Sequence, residues 1–222
     1  MVSPMPPANR RKPPARPASG PGRPKDLGKR AAILEAAKQL FSREGFNGVS
    51  MDQIAAEAGV SKLTVYSHFG DKEALFAAAV QAKCEEMLPD ALFEIELEGP
   101  LRDQLKAIAH AFFALITSEE AISTQRMMMV PGNIDDKLKQ TFWEAGPQRT
   151  HDAFAGLLQA RMATGELDIP DVPLAAVQFF TLLKGEVHAR MTCGLCGPPG
   201  RTDTHRHIDA CVDMFLRAYG RR

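Results

Sequence analysis

The sequence predicts an all-α chain of about nine helices. Three observations predict it. Apolar residues recur every three or four positions along most of the chain, side chains with capping chemistry stand where those runs begin, and no segment alternates apolar with polar over a useful length. With 45% hydrophobic residues in 222, the chain can bury a sizeable core.

The elements follow in order. Residues 1 to 26 hold eight of the 16 prolines together with Arg10, Arg11, Lys12, Arg16, Arg23 and Lys25, and show no apolar period. Such a segment buries too little surface to offset its ordering entropy, so a disordered basic arm is expected. Ile33, Leu34, Ala37, Leu40 and Phe41 then form one stripe of a helix from Leu27 to Glu44, with Gly45 as the stop. A short helix begins at Ser50, whose spacing to Gln53 is that of a capping box, and Gly59 ends it. Ser61 caps a third helix to Phe69. Gly70-Asp71 breaks that helix and caps a fourth, from Lys72 to Leu88, closed by Pro89. The remaining runs are Leu101 to Thr117, Glu119 to Met129, Ile134 to Ala163, Pro173 to Met191 and Thr204 to Tyr219, without an internal repeat.

Charge is unevenly spread. The 27 basic and 27 acidic side chains cancel, yet residues 1 to 70 carry a surplus of six positive charges and the remainder a matching negative one. A basic amino-terminal third points to a polyanion at that end. The longest apolar run, Val172 to Leu183, is 12 residues interrupted by Gln178, too short for a membrane span. No apolar segment follows the amino-terminal charges, so a cytoplasmic chain with no membrane partner is expected, its four cysteines reduced thiols.

The second and third helices are joined by Gly59-Val60-Ser61, the spacing of a helix-turn-helix, whose second helix lies in the major groove of DNA. At 100° per residue, Val65 and Phe69 share one side of that helix, facing the first helix. Leu63, Thr64 and Ser67 lie on the other side, suited to base edges and thymine methyls, with Tyr66 and His68 on the flanks within reach of phosphates. Lys62 and Lys72 supply charge, and Ser50 and Gln53 open the preceding helix. Arg23, between Gly22 and Pro24, has the composition of an arm that reads the minor groove, or of a plain solvated linker.

The run Ala31-Ala-Ile-Leu-Glu-Ala-Ala-Lys-Gln-Leu-Phe-Ser-Arg-Glu-Gly-Phe46, then Val49 to Ser61, then Thr64-Val-Tyr-Ser-His-Phe-Gly-Asp-Lys-Glu-Ala-Leu-Phe76 resembles the TetR/AcrR family of bacterial transcription regulators. The match covers Leu27 to Phe76. The resemblance implies a homodimeric, ligand-responsive regulator, a repressor released from a palindromic operator on double-stranded DNA by a small-molecule effector. It implies a DNA-binding domain at 27–75 and a helical effector-binding and dimerisation domain at 76–222. Phosphate contacts fall by the same resemblance on Tyr66, His68 and Lys72. The family is less regular where this chain reads Leu63-Thr64-Val65, so the operator sequence does not follow from it.

Phe112, Phe113, Met127, Trp143 and Phe180 are of the residue types that line an apolar ligand cavity, and equally of those that fill a core. Leu174, Val177, Leu182 and Val187, with Ile208, Val212, Phe215 and Leu216, form two stripes suited to half of a four-helix dimer interface or to packing within the chain. Cys193-Gly-Leu-Cys196, near His188, His205 and His207, allows a metal or thiol-redox sensor, although no second Cys-x-x-Cys accompanies it. No nucleophile elbow, phosphate loop or paired-carboxylate pattern supports the remaining alternative, a helical enzyme with the carboxyl-terminal cavity as active site. No metal or cofactor is expected.

Overall fold

A computed structural model of the chain describes residues 26–94, 99–132 and 134–221. The basic arm, and Arg23 with it, lies outside them. The described α-helices are α1 (Leu27–Gly48), α2 (Met51–Glu57), α3 (Lys62–Phe69), α4 (Lys72–Met87), α5 (Leu101–Ile116), α6 (Glu119–Met129), α7 (Asp136–Trp143), α8 (Arg149–Ala163), α9 (Val172–Thr192) and α10 (Arg201–Tyr219). A π turn, Glu144–Gln148, joins α7 to α8 without a break. Counted with α7 and α8 as one rod, nine helices stand among the described residues, as the apolar period requires.

The caps are those the side chains dictate. Ser50 Oγ accepts from the Gln53 amide at 3.2 Å while the Gln53 carboxamide oxygen accepts from the Ser50 amide at 2.8 Å, closing the capping box on α2. Ser61 caps α3, Asp71 caps α4, and Asp135 and Asp171 cap α7 and α9. At Gly45 (φ 71°, ψ 170°) the backbone leaves helical geometry, so α1 proper ends where glycine was expected to stop it and only one further turn follows. The last helix opens at Arg201, three residues earlier than its apolar stripe suggests.

Three features have no counterpart in the apolar pattern. A 3₁₀ turn fills Asp90–Phe93. The π turn coincides with Pro147, which lacks the N–H that a regular α-helix uses at that position; one inserted residue lets the rod run past it. Helix α9 breaks at Gly185 (φ 51°, ψ −162°). There His207 Nε2 lies 2.9 Å from the Leu183 carbonyl oxygen, and a Cβ on residue 185 would stand 3.1 Å from the His207 ring.

Two apolar cores organise the chain. The first gathers Ile33, Phe41, Ile54, Val65, Leu75 and Phe76 from α1 to α4, with Ile134 just before α7 and Leu138 on it. Val65 is fully buried and Phe69 packs against this core, which holds α3 onto α1. The second core gathers Ile108, Phe154, Phe179, Leu183, Val212 and Phe215 from α5, α8, α9 and α10. Ile208, Val212 and Phe215 are therefore spent inside the chain, and the α10 stripe does not offer them to a second subunit. Leu174, Val177 and Met214 are exposed.

One polar network is sealed into the second core. Arg161, buried on α8, donates to the Gln104 carboxamide oxygen at 3.2 and 2.7 Å, and Gln104 donates in turn to the carbonyls of Leu92 and Glu94 at 3.2 and 3.0 Å. Glu166 closes the guanidinium at 2.9 Å. Burial opposes the charge of Glu166, but the hydrogen bonds from Arg161 and Thr164 outweigh it and hold the carboxyl below its ordinary range. A buried guanidinium stripped of its acceptor keeps its full desolvation penalty. Gln104→Leu is therefore expected to lower stability by about 1–3 kcal/mol in urea unfolding, and an unchanged midpoint would show that the network contributes nothing.

Candidate nucleic-acid interface and effector cavity

Helix α3 presents the face expected of a groove-reading helix. Leu63 is 79% exposed and Tyr66 41%, Ser67 and Lys62 are also exposed, and Thr64 is half-buried. The Thr64 hydroxyl is already engaged, 2.8 Å from Ser61 Oγ, which leaves Leu63 and Ser67 the freer side chains of that face, with Tyr66 exposed on its flank. Lys62 Nζ holds Asp52 at 2.8 Å, a brace between α3 and α2, and this pairing raises the lysine's pKa. The angle between these helices is thus set by core packing, with an exposed charge pair bridging their outer sides.

Of the remaining residues in the expected DNA-contacting set, Ser50 and Gln53 are exposed but engaged at the start of α2, and His68 and Lys72 are half-buried. Gln53 closes the capping box and donates to Glu44 at 3.3 Å, and Ser50 is the cap itself. Lys72 lies with Nζ 4.3 Å from the Phe46 ring centroid, where partial burial lowers its pKa. His68 is half-buried and its Nδ1 has no hydrogen-bond partner among the described residues. Arg30, which no sequence motif marks, stands over the Phe69 ring at 4.9 Å.

A cavity of about 910 Å³ opens between the two cores. Its wall is drawn from α1 and α4 on one side and from α5, α6, α7, the π turn, α8 and α9 on the other. Of the residues expected to line a cavity, Phe112 and Trp143 do. Phe180 stands one layer behind, its ring 4.5 Å from that of Phe112 and 5.5 Å from that of His151. Phe113 belongs to the second core, 5.6 Å from His207. Met127 packs on the first core, with Sδ 3.2 Å from the Phe46 amide beside the Gly45 break.

The apolar pattern gave no sign of the polar lining. Lys38, Lys83, His151, Lys184 and His188 all face the cavity. Lys38 sits 2.8 Å from both Glu35 and Glu86, tying α1 to α4 at the cavity wall; these contacts raise its pKa and lower those of both carboxyls. Burial lowers the pKa of His151 and of His188, and the charge of Lys184 lowers each further. The π turn sits against α4, with Gly146 over Val80 and Cys84. Burial pushes the Cys84 thiol up to about 11, so it remains protonated at neutral pH.

Cys193 is exposed and Cys196 half-buried, both as free thiols. Among the described residues no group of three His, Cys, Asp or Glu side chains is placed to hold a metal ion, and no helix is long and apolar enough to cross a membrane.

Residues 33–79 match the family model described as bacterial regulatory proteins, tetR family, and residues 103–221 match that of the AefR-like transcriptional repressor, C-terminal domain. The chain is 30% identical over 146 residues to the uncharacterized HTH-type transcriptional regulator YdeS of Bacillus subtilis, covering 66% of this chain and 71% of that one. A putative TetR-family regulator from Mesorhizobium loti superposes with a TM-score of 0.75 at 27% identity, over 90% of this chain and all of the other. The flavonoid-responsive regulator FrrA superposes at 0.69 with 31% identity, over 89% of this chain and all of the other.

The contact between the π turn and α4 yields a direct expectation. A Cβ on residue 146 would stand 3.1 Å from Val80 Cγ1 and 3.3 Å from Cys84 Sγ, inside ordinary packing distance. Gly146→Val should force the turn off α4 and lower stability by about 1–3 kcal/mol, read as a drop in thermal midpoint. A variant that melts with the parent would show that the contact can yield freely.

Proposed function

The chain belongs to the TetR family of bacterial transcription regulators, and on that premise we propose that it is a ligand-responsive repressor that binds an inverted-repeat operator as a homodimer. In this reading residues 27–75 bind DNA, and residues 76–222 hold the effector and the partner subunit. The observation that carries the proposal is the cavity's double wall. Phe41, Phe76 and Val80, which pack in or against the helix-turn-helix core, line the same space as Phe112, Trp143 and His151 of the larger part. A ligand filling that space touches both bodies.

Effector control needs differential affinity: a ligand releases DNA only to the extent that it prefers the conformer whose recognition helices no longer match the half-site spacing. Helix α4 carries such a preference outward. Its first half anchors the DNA-binding core through Leu75 and Phe76, and its second half lines the cavity through Lys83 and Cys84. The likeness to FrrA, a regulator named as flavonoid-responsive, supports a ligand-responsive reading of the same architecture. The dimer surface is assigned to α9 and α10, where Leu174, Val177 and Met214 remain exposed after the chain's own core is filled.

The decisive experiment selects genomic DNA fragments on the purified protein and follows the affinity of the best fragment across salt. A short inverted repeat with a steep salt slope supports the reading, and recovery of nothing above background overturns it. Tyr66→Phe and Lys72→Ala should weaken binding to all sequences alike, whereas Ser67→Ala should change which bases are preferred. A change of preference in Tyr66→Phe without general loss would mean that α3 enters the groove on another face. Removing residues 1 to 24 should lower affinity and flatten the salt dependence by about 0.9 in log K against log salt for each phosphate that the arm no longer neutralises. An unchanged slope would take the arm off the DNA.

Leu174→Glu together with Val177→Glu should convert the dimer to a monomer in sedimentation velocity, because the second charge sits one helical turn from the first. A persistent dimer would place the interface elsewhere.

A further inference from the structure

Four lysines line the cavity, and three of them have carboxylate partners. Lys38 is held by Glu35 and Glu86 at 2.8 Å, Lys83 by Glu120 at 3.8 Å, and Lys139 by Asp136 at 3.1 Å. Arg43, also on the wall, is paired with Glu44 at 3.0 Å. Lys184 alone has no hydrogen bond and no ion pair among the described residues, and it is half-buried. The lining carboxylates Glu35, Glu86 and Glu120 belong to α1, α4 and α6 and are already committed to Lys38 and Lys83. The groups that flank Lys184 are His151 and His188, which supply N–H donors and no negative charge.

The fold holds this lysine in place. Lys184 is the last residue of the first segment of α9, and the break at Gly185 lies between it and His188. His207 is packed into that break, which fixes the chain direction on either side. The wall beside it is aromatic. His151 stacks on Phe180 at 5.5 Å and meets Trp143 edge-on at 5.8 Å, and Phe112 tilts against Phe180. An unpaired ammonium on the wall of an aromatic cavity is unfavourable in the empty protein and becomes favourable when an anion meets it.

We infer that the effector is an aromatic organic anion whose acidic group pairs with Lys184, assisted by the imidazoles of His151 and His188, and whose rings lie along Trp143 and Phe112. The inference rests on the reading of the cavity as the effector site and adds the ligand's chemical class. The charge-assisted pair forms in a partly desolvated place, where it discriminates strongly between an acid and its neutral amide. The same lysine repels the amines and quaternary ammonium compounds that an equally aromatic cavity would otherwise accept.

Trp143 is the chain's one tryptophan, so its fluorescence reports occupancy directly. The full-length protein is titrated with diphenylacetate and with diphenylacetamide, which share rings and shape and differ in charge. The carboxylate should bind at least about tenfold more tightly, a gap typical of one charge-assisted hydrogen bond gained. Lys184→Met should erase that gap with the amide affinity held within about twofold, and Lys83→Met should keep it. Because methionine removes an unpaired charge from a half-buried site, Lys184→Met should also melt no lower than the parent without ligand. Equal affinities in the parent protein, or a gap that survives Lys184→Met, overturn the anion assignment and leave the cavity standing as an effector site. Failure of both compounds, and of the neutral dye Nile red, to alter Trp143 emission overturns the assignment together with the reading on which it rests.

Discussion

The arrangement depends on one constraint: α4 must serve two cores at once. Leu75, Phe76 and Ala79 are buried among α1, α2 and α3, while Cys84, Met87 and Leu88 turn to the core of the larger part. A single helix cannot bring both cores into full contact along its length, because its two apolar patches lie in different halves. The space left between them is the cavity, bounded where Lys38 ties α1 to α4 through Glu86 and where the π turn sits on Val80 and Cys84. The cavity is thus a consequence of how two packed bodies share one rod. Its volume of about 910 Å³ falls in the upper part of the range that small-molecule sites occupy.

Much of this was legible in the sequence where the controlling forces are local. Capping is an interaction across three residues, so Ser50 with Gln53, Ser61 and Asp71 declared their helix starts before any tertiary contact was known. The stripe that buries Val65 and exposes Leu63, Tyr66 and Ser67 follows from 3.6 residues per turn. What escaped depends on partners distant in the chain. The Gly185 break exists because His207, 22 positions later, fills it, and nothing in the apolar run from Val172 distinguishes a glycine that bends a helix from one that is tolerated in it. The buried Arg161 has the look of a surface residue until Gln104, on another helix, is placed beside it. Pro147 is the one such feature that was readable, since a proline inside a long helical period demands a distortion.

The cavity lining shows the same division. Aromatic and methionine side chains were the sequence's best indication, and they sort without an obvious rule: Phe112 and Trp143 face the space, while Phe113, Met127 and Phe180 pack in the surrounding cores. Residue type reports apolarity, and apolarity is shared by a cavity wall and a core. The more telling signal was polar. Lys184 follows the run Phe179-Phe180-Thr181-Leu182-Leu183, and a charge that close to an apolar run is a reason to look for a buried pair or a site.

In the proposed reading, Met127 is one route by which occupancy of the cavity would reach the DNA-binding part. Its neighbours Met128 and Met129 on α6 line the cavity, while its own sulfur packs against the Phe46 amide at the Gly45 break that ends α1 proper. A ligand that displaces α6 therefore presses on the one place where α1 has no helical geometry to resist. A ligand that touches only α8 and α9 binds equally well to both arrangements of the two bodies, and by linkage it shifts nothing, however tightly it is held. Affinity and response are set by different walls. In that reading the wall that carries Lys184 would select the ligand, and the contacts with α1, α4 and α6 would decide whether binding is felt at α3.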